Sequence, residues 1–476
     1  MCGMLPPSMH NPKTRLKPSK TLGVLLILII ATQTQAQQIP TSGLTIQQAV
    51  QSALQNYPAI TVSQEQIEAA SAGIQLARTA YLPKIDSIAQ VNRATRNNVF
   101  GLLLPQSVIP SISGPVLGTN NTGSVWGSSV GALVTWEPFD FGLRQASVSA
   151  ATASRTRNET TLKRTQFEVS IAAADAFLTL VATQETIRAA QAGVERAQSV
   201  TQIVRAQADA QLRPGADASR VEAELAAART QLAQAQQAEG VARALLSQFV
   251  GIQPQQIAVS APRLLQLPPE QAVLPLNVAQ NPIAAEQNAV IDQRKAELQV
   301  LEKSYVPRLF AQASAYARGT GAQLDGTRAG GLNGLGPDTQ NYALGFTVTF
   351  PLFDFASIRA RQNGQSATIR AETARYQQIT TELTARRNAA TAALEGSRKI
   401  AANTPVVVSA ATAANQQATA RYQAGLGTVV EVADTQRLLT QAQIDDSLAR
   451  LGVWRALLAV AATNGDIQPF LASAIP

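Results

Sequence analysis

Residues 342–350 alternate in size. Tyr342, Leu344, Phe346, Val348 and Phe350 fall between Ala343, Gly345, Thr347 and Thr349. Period two, with the bulk on one side, predicts a strand whose two faces meet different surroundings. Three other stretches read as strands. Residues 84–92 set Ile85, Ser87, Ala89 and Val91 against Asp86, Ile88, Gln90 and Asn92; residues 125–136 and 308–318 are the others. Long loops, rich in Gly, Pro, Ser and Asn at 97–124 and in Gly at 319–341, separate the strands of each pair. Elsewhere the period is helical. Residues 44–80 place Ile46, Val50, Ala53 and Leu54 on one face behind a candidate N-cap, Thr45. Pro58 is expected to kink or interrupt this helix, and Pro83 to close it. Residues 142–211 contain no proline, enough for a helix about 100 Å long. Residues 356–424 match that length but carry Pro405, an expected break. Pro405 stands 20 residues before Gly425, and Gly193 stands 20 before Arg213. Both are expected to mark a kink zone. Helices return at 218–250 and 429–463, and residues 253–275, with five prolines, read as a linker.

These elements occur twice. Tyr81-Leu-Pro-Lys-Ile85 returns as Tyr305-Val-Pro-Arg-Leu309, an offset of 224 residues, and Phe139-Asp140-Phe141 returns as Phe353-Asp354-Phe355, an offset of 214. Asn56-Tyr-Pro58 is echoed by Asn281-Pro282. The period exceeds that of solenoid repeats, roughly 20–50 residues, so this is a duplicated half-molecule. Asp140 and Asp354 each precede a helical run, where an Asp can cap the first turn and a flanking Phe can staple the entry angle.

Composition narrows the reading. Lys13, Arg15, Lys17 and Lys20 precede an apolar run over residues 22–31 and small residues near Ala36. That run is short for a membrane span of ~20 residues, so residues 1–36 read as a secretory signal. The only cysteine, Cys2, and the only histidine, His10, lie inside it. After cleavage no disulfide, no Cys- or His-based metal site and no Cys- or His-based triad is available, and the formal charge falls from +8 to +4. The high pI is then not a nucleic-acid signal. The domain plan is 1–36 signal, 37–252 first repeat, 253–275 linker, 276–465 second repeat and 466–476 tail. Aromatics are 5% and charged residues 15%, and Ala and Gln fill the helices, which suits narrow helix seams rather than thick globular cores.

Four short strands cannot close a barrel, which needs about eight. Three copies would supply twelve and leave no edge in lipid. Trp126, Trp136, Phe139, Phe141, Tyr342, Phe350, Phe353 and Phe355 cluster near strand ends, where interfacial girdles sit. A soluble sandwich would need strands that the rest of the chain lacks. At this point the chain resembles the outer-membrane efflux channels of the TolC family. The resemblance rests on Leu44-Thr-Ile-Gln-Gln-Ala-Val with Asn56-Tyr-Pro58, on Pro138-Phe-Asp-Phe-Gly142 and Pro351-Leu-Phe-Asp354, and on residues 422–434, Tyr-Gln-Ala-Gly-Leu-Gly-Thr-Val-Val-Glu-Val-Ala-Asp. It implies a mixed α and β membrane protein. A homotrimer would build a 12-stranded β-barrel in outer-membrane lipid, continued by a long α-helical coiled-coil barrel into the periplasm. It also implies a periplasmic adaptor and an inner-membrane transporter as partners. No enzyme, cofactor, metal or nucleic-acid role is expected: glycine loops for phosphate, metal-ligand spacings and nucleophile elbows are all missing.

The same resemblance assigns site residues. Glu431 and Asp434, three apart on one helix face, fall where the family places acidic rings at its periplasmic constriction; the plain alternative is a solvated helix face. Tyr422 is either a gate hydrogen-bond donor or packing in the hairpin seam. A basic residue that the family often carries in this tip is Gly427 here, so Arg220, at similar height on the first hairpin, is expected either to pair with Glu431 or Asp434 or to be a surface arginine with no fixed partner. The tips Arg213, Pro214, Gly215, Gly425, Leu426 and Gly427 are the expected adaptor contacts, and also simple turn chemistry. The other class of function is a periplasmic coiled-coil adaptor or scaffold without a pore, against which the four strands and two long loops argue.

Overall fold

A computed structural model of the chain describes residues 43–95, 123–211, 214–270, 275, 277–323 and 327–475. The expected signal segment and most of the first loop lie outside them. The chain opens with α1 (Ile46–Asn56), where Thr45 and Gln48 form a capping box: the Gln48 amide donates to Thr45 Oγ1 at 3.3 Å and the Thr45 amide to Gln48 Oε1 at 3.0 Å. Pro58 ends it and becomes the first residue of α2 (Pro58–Thr79), where a missing N–H costs nothing. Then follow β1 (Lys84–Thr95), β2 (Ser124–Phe139), α3 (Leu143–Asp209) and α4 (Gly215–Val250). The second half repeats the order as α5 (Pro282–Lys303), β3 (Arg308–Thr320), β4 (Thr339–Thr349), α6 (Phe355–Gln423) and α7 (Val429–Asn464), with a short α8 (Gln468–Ala474) at the end.

The four strands form one antiparallel sheet in the order β1-β2-β3-β4, so β1 and β4 are its edges. The register settles its faces. Ser87, Ala132, Ala315 and Tyr342 stand in one row, and Ile85, Val134, Ala313 and Leu344 in the next. Side chains alternate, so these rows share a face that carries the large apolar groups of β4. Tyr342, Leu344, Phe346 and Val348 are 88, 75, 72 and 67% exposed on it. The opposite face carries Asp86, Gln90, Ser129, Gln312 and Thr347.

Helices hang from one end of the sheet. α3 packs on α2 and α5 near the sheet and on α4 and α7 towards the hairpin tips; α6 packs first on α5 and then on α7. Seams are made of small residues: a Cβ on Gly193 would come within 2.9 Å of Thr440 Oγ1, so the glycine permits the close approach of α3 to α7. Pro405 does not break α6. The helix runs on through it, with Ala401 and Ala411 buried on either side. Packing on α7 outweighs the hydrogen bond that proline removes.

The echo of Asn56 in Asn281 has a cause. Asn56 Nδ2 donates to the Val250 carbonyl at 3.1 Å, and Asn281 Nδ2 to the Thr463 carbonyl at 3.0 Å. Each closes a returning helix whose last carbonyls lack partners. Those helices end on Gly251 and Gly465, whose φ values of +72° and +80° suit glycine. The proline-rich segment is docked rather than loose. Its Val259 bridges to Leu44, Leu264 is buried, and Trp454 Nε1 on α7 donates to the Gln266 carbonyl at 2.9 Å. Phe177, Leu178, Leu246, Leu264, Trp454 and Phe470 meet there in the main apolar core. Residues 42–476 form one compact unit.

Candidate functional site

The helical tips bring the two hairpins together. At the second tip, Ala424 closes α6 and Gly425 turns with φ +75°. The Leu426 and Gly427 amides donate back to the Arg421 carbonyl at 2.8 and 3.1 Å, and Thr428 caps α7 by accepting from the Glu431 amide at 3.3 Å. Gly427 sits so tightly that an added Cβ would lie 3.2 Å from Glu431 Oε2 and from Arg421 Cβ. Any side chain at this position would need its neighbours to give by a few tenths of an ångström. Leu426 is 74% exposed at the apex, flanked by exposed Gly425.

At the first tip, Pro214 precedes α4 in an extended conformation and Gly215 is its first residue, both exposed. A Cβ on Gly215 would meet nothing. Arg213, one of the expected adaptor contacts, lies outside the described residues. Arg205 on α3 grips Glu222 on α4, with Nε at 2.7 Å and Nη2 at 2.6 Å from the same carboxylate oxygen. This clasp was not foreseen, since 17 residues and a turn separate its ends.

Tyr422 packs in the hairpin seam and makes a hydrogen bond across it. Its ring is buried with Val204, Val221, Val429 and Val432, and its hydroxyl donates to Gln207 Oε1 on α3 at 3.1 Å. One side chain thus ties the two hairpins at their ends. A second tie lies higher, where Arg196 of α3 donates to Thr440 Oγ1 at 2.8 Å and to Gln443 Oε1 at 3.2 Å. Burial, against only a weak pull from Glu195, holds the Arg196 guanidinium below its ordinary value.

Glu431 and Asp434 are exposed on α7, on the face that the spacing predicts. Asp434 pairs with Arg437, one turn on, at 2.7 Å. Arg220 is exposed on α4 and makes no ion pair with either acid within the chain. The three are not brought together in a single copy. Among the described residues no cluster of potential metal ligands occurs.

Near the sheet, the first strand-to-helix junction is locked. Asp140 accepts from the Gly142 amide at 3.3 Å and from the Arg144 amide, and its carboxylate lies 3.1 Å from Arg144 Nε. Arg144 also donates to the Ala80 and Pro138 carbonyls, each at 3.2 Å, and covers the Tyr81 ring at 4.5 Å. The second junction differs. Asp354 precedes α6 with no side-chain capping bond, contrary to expectation. Nor do the phenylalanines staple: Phe139 and Phe141 are each 64% exposed, Phe353 90% and Phe355 56%.

The sequence matches the outer membrane efflux protein family over residues 49–251 and 274–466. Among solved structures, the fold is similar to the outer-membrane channel OprN at 20% identity, covering 88% of this chain and 89% of that one with a TM-score of 0.69. It is similar to the CmeC outer membrane channel of Campylobacter jejuni at 15% identity, covering 96% and 94% with a TM-score of 0.72. The open state of the MtrE outer membrane channel of Neisseria gonorrhoeae matches at 17% identity, over 88% and 89%, with a TM-score of 0.68. No curated protein sequence matches.

Proposed function

The chain belongs to the outer membrane efflux protein family, and from that premise we propose that three copies form a passive conduit for export from the periplasm across the outer membrane. The carrying observation is the sheet. It has one apolar exposed face, one polar face and two unpaired edges. Unpaired edges are not tolerated in hydrocarbon, and twelve strands from three copies remove them. The apolar face then meets lipid and the polar face lines water. Below it, α3 and α6, about 100 Å each, carry the lumen through the periplasm. Residues 1–36 direct the chain to this location and are removed. The chain holds no energy-coupling motif, so an inner-membrane transporter drives transport, and a periplasmic adaptor bridges the two at the tips.

The gate lies at those tips. Glu431 and Asp434 of three copies form an acidic ring that favours cations. Arg220, on α4 of the first hairpin, meets the acids of the adjacent copy, while Tyr422 ties the hairpins within each copy. Arg213, Pro214, Gly215, Gly425, Leu426 and Gly427 face the adaptor. The test is single-channel conductance of the detergent-purified protein in a planar bilayer, against the double variant Glu431→Ala/Asp434→Ala. Cation-selective steps that lose selectivity in the variant support the conduit and its gate. Unchanged steps move the constriction elsewhere. Inserted trimers without conductance, even in the double variant, favour the scaffold reading.

A further inference from the structure

Near the sheet the helices form a layer in the order α2-α3-α5-α6, so α2 and α6 are its outer members. Each has one face in use and an opposite face open. On α2, Ser63 and Ser71 turn towards α3, bonding to Thr165 and Arg155. Opposite, Val62, Glu65, Ala69, Ala72 and Leu76 recur at three and four residues and are all exposed, Val62 by 55% and Leu76 by 72%. On α6, Gln362, Gln365 and Glu372 bond to α5. Opposite, Ala360, Asn363, Ala367, Arg370 and Ala374 repeat with the same spacing, again all exposed. Both open faces carry the spacing of a coiled-coil seam.

We propose that these two faces are complementary halves of one seam between copies of this chain, keyed by Arg370 against Glu65 and Glu68. The inference rests on the trimeric reading above and names its register. Counting from the sheet, Glu65 lies 15 residues before Ala80 and Arg370 lies 15 after Phe355, both about 22 Å down their helices. At equal depths Leu76 stands over Ala360 and Val62 over Ala374, while Ala69 meets Ala367 and Ala72 meets Asn363. Large side chains meet small ones, the alanines between them let the helices approach closely, and acid meets base. Among the described residues Glu65, Glu68 and Arg370 have no ion-pair partner within the chain.

The internal repeat gives the same register independently. α3 already packs on α5 within the chain, and that contact is the counterpart of α6 on the next copy's α2. Thr156 on α3 and Ala289 and Asp292 on α5 line one open cleft between those helices. The repeat offsets of 214 and 224 carry Thr156 to Arg370, Ala289 to Glu65 and Asp292 to Glu68. Within the chain the position equivalent to Arg370 is the uncharged Thr156, and α3 and α5 are joined elsewhere, by Arg164 to Glu286 at 2.7 Å, so the charge pairing at this level is left for the neighbour. The same offsets applied to β2 and β3, where Gly131 pairs with Tyr316 and Leu133 with Ser314, extend the register into the sheet. There β4 meets the neighbour's β1 with Phe346 opposite Val91.

In one chain α3 and α5 separate α2 from α6, so a bond between positions 65 and 370 must join two copies. The experiment places cysteines in a Cys2→Ser background. Glu65→Cys/Arg370→Cys is expected to give disulfide-linked dimers and trimers on oxidation; Glu65→Cys/Ala356→Cys, two heptads out of register, is expected to give none. The charge variants keep the assay independent of cysteine geometry. Arg370→Glu should lower the fraction surviving as trimer in mild denaturant several-fold, and combining it with Glu65→Arg/Glu68→Arg should restore it. Trimers by sizing that cross-link only out of register, or that ignore the charge reversal, overturn the key and leave the trimer standing. A wild-type chain that remains monomeric overturns both.

Discussion

The two strand-to-helix junctions spell the same motif and do different things. At the first, Asp140 is buried, caps α3 and is clasped by Arg144, which also holds the end of α2 through the Ala80 carbonyl. At the second, Asp354 is exposed without a capping bond, and the position equivalent to Arg144 is Ile358. The first junction has neighbours on both sides, since β2 lies inside the sheet and α3 inside the helix layer. The second stands at the edge of both. A duplicated motif is therefore read by its surroundings: where the chain supplies the partner the carboxylate is locked, and where it does not the motif stays open.

The largest expected effect comes from breaking the locked side. Arg144→Ala leaves a buried carboxylate and two carbonyls short of a donor, and should lower stability by about 2–3 kcal/mol in denaturant unfolding. Ile358→Ala, on a half-exposed site, should cost about 1 kcal/mol or less. The asparagine caps sharpen the comparison next. Asn281 is fully buried and Asn56 is exposed. Asn281→Ala should cost about 1–2 kcal/mol, and Asn56→Ala about half of that, by the same assay. Tyr422→Phe keeps the buried ring and removes the bond to Gln207, for about 1 kcal/mol and a higher open probability in single-channel records.

Acid gives a finer probe of the first junction. Burial pushes the Asp140 carboxyl up, but bonds from the Arg144 amide and side chain and from the Gly142 amide outweigh it, so it titrates below its usual 3.8. A carboxyl lowered on folding stabilises fully above its unfolded value, and the contribution disappears as pH falls through the folded one. The stability gap between the wild type and Asp140→Asn should thus hold at neutral pH and close below about pH 3.8. The smallest effect is on the open side: Asp354→Ala should change the stability of the isolated chain by no more than about 0.5 kcal/mol at any pH. A larger loss would mean that the second junction is locked as well.

Much of this was legible because it is periodic or local. The alternation at 342–350 gave β4 to within a few residues, and Thr45 was visible as a cap because its partner is three residues away. The candidate tip acids fell on the expected face of α7 for the same reason. What escaped depends on distance. Arg144 reaches carbonyls at Ala80 and Pro138, and Trp454 bonds to Gln266, 188 residues away. No local pattern announces such bonds, although the replacement of Arg144 by Ile358 in the repeat was a readable hint. Pro405 misled because its cost to an isolated helix is offset here by packing on α7. Asp354 misled because a motif was assumed to carry its contacts with it.

The exposed amides of β1 and β4 set an order of events. A lone copy in water presents two rows of free donors and acceptors to any passing strand, and beside them Tyr342, Leu344 and Phe346. Such edges are a hazard for aggregation. The helical hairpins carry the apolar core within one copy, whereas the sheet leaves two edges and an apolar face without partners from its own chain. On the trimeric reading proposed above, a copy would have its hairpins folded before its sheet is closed.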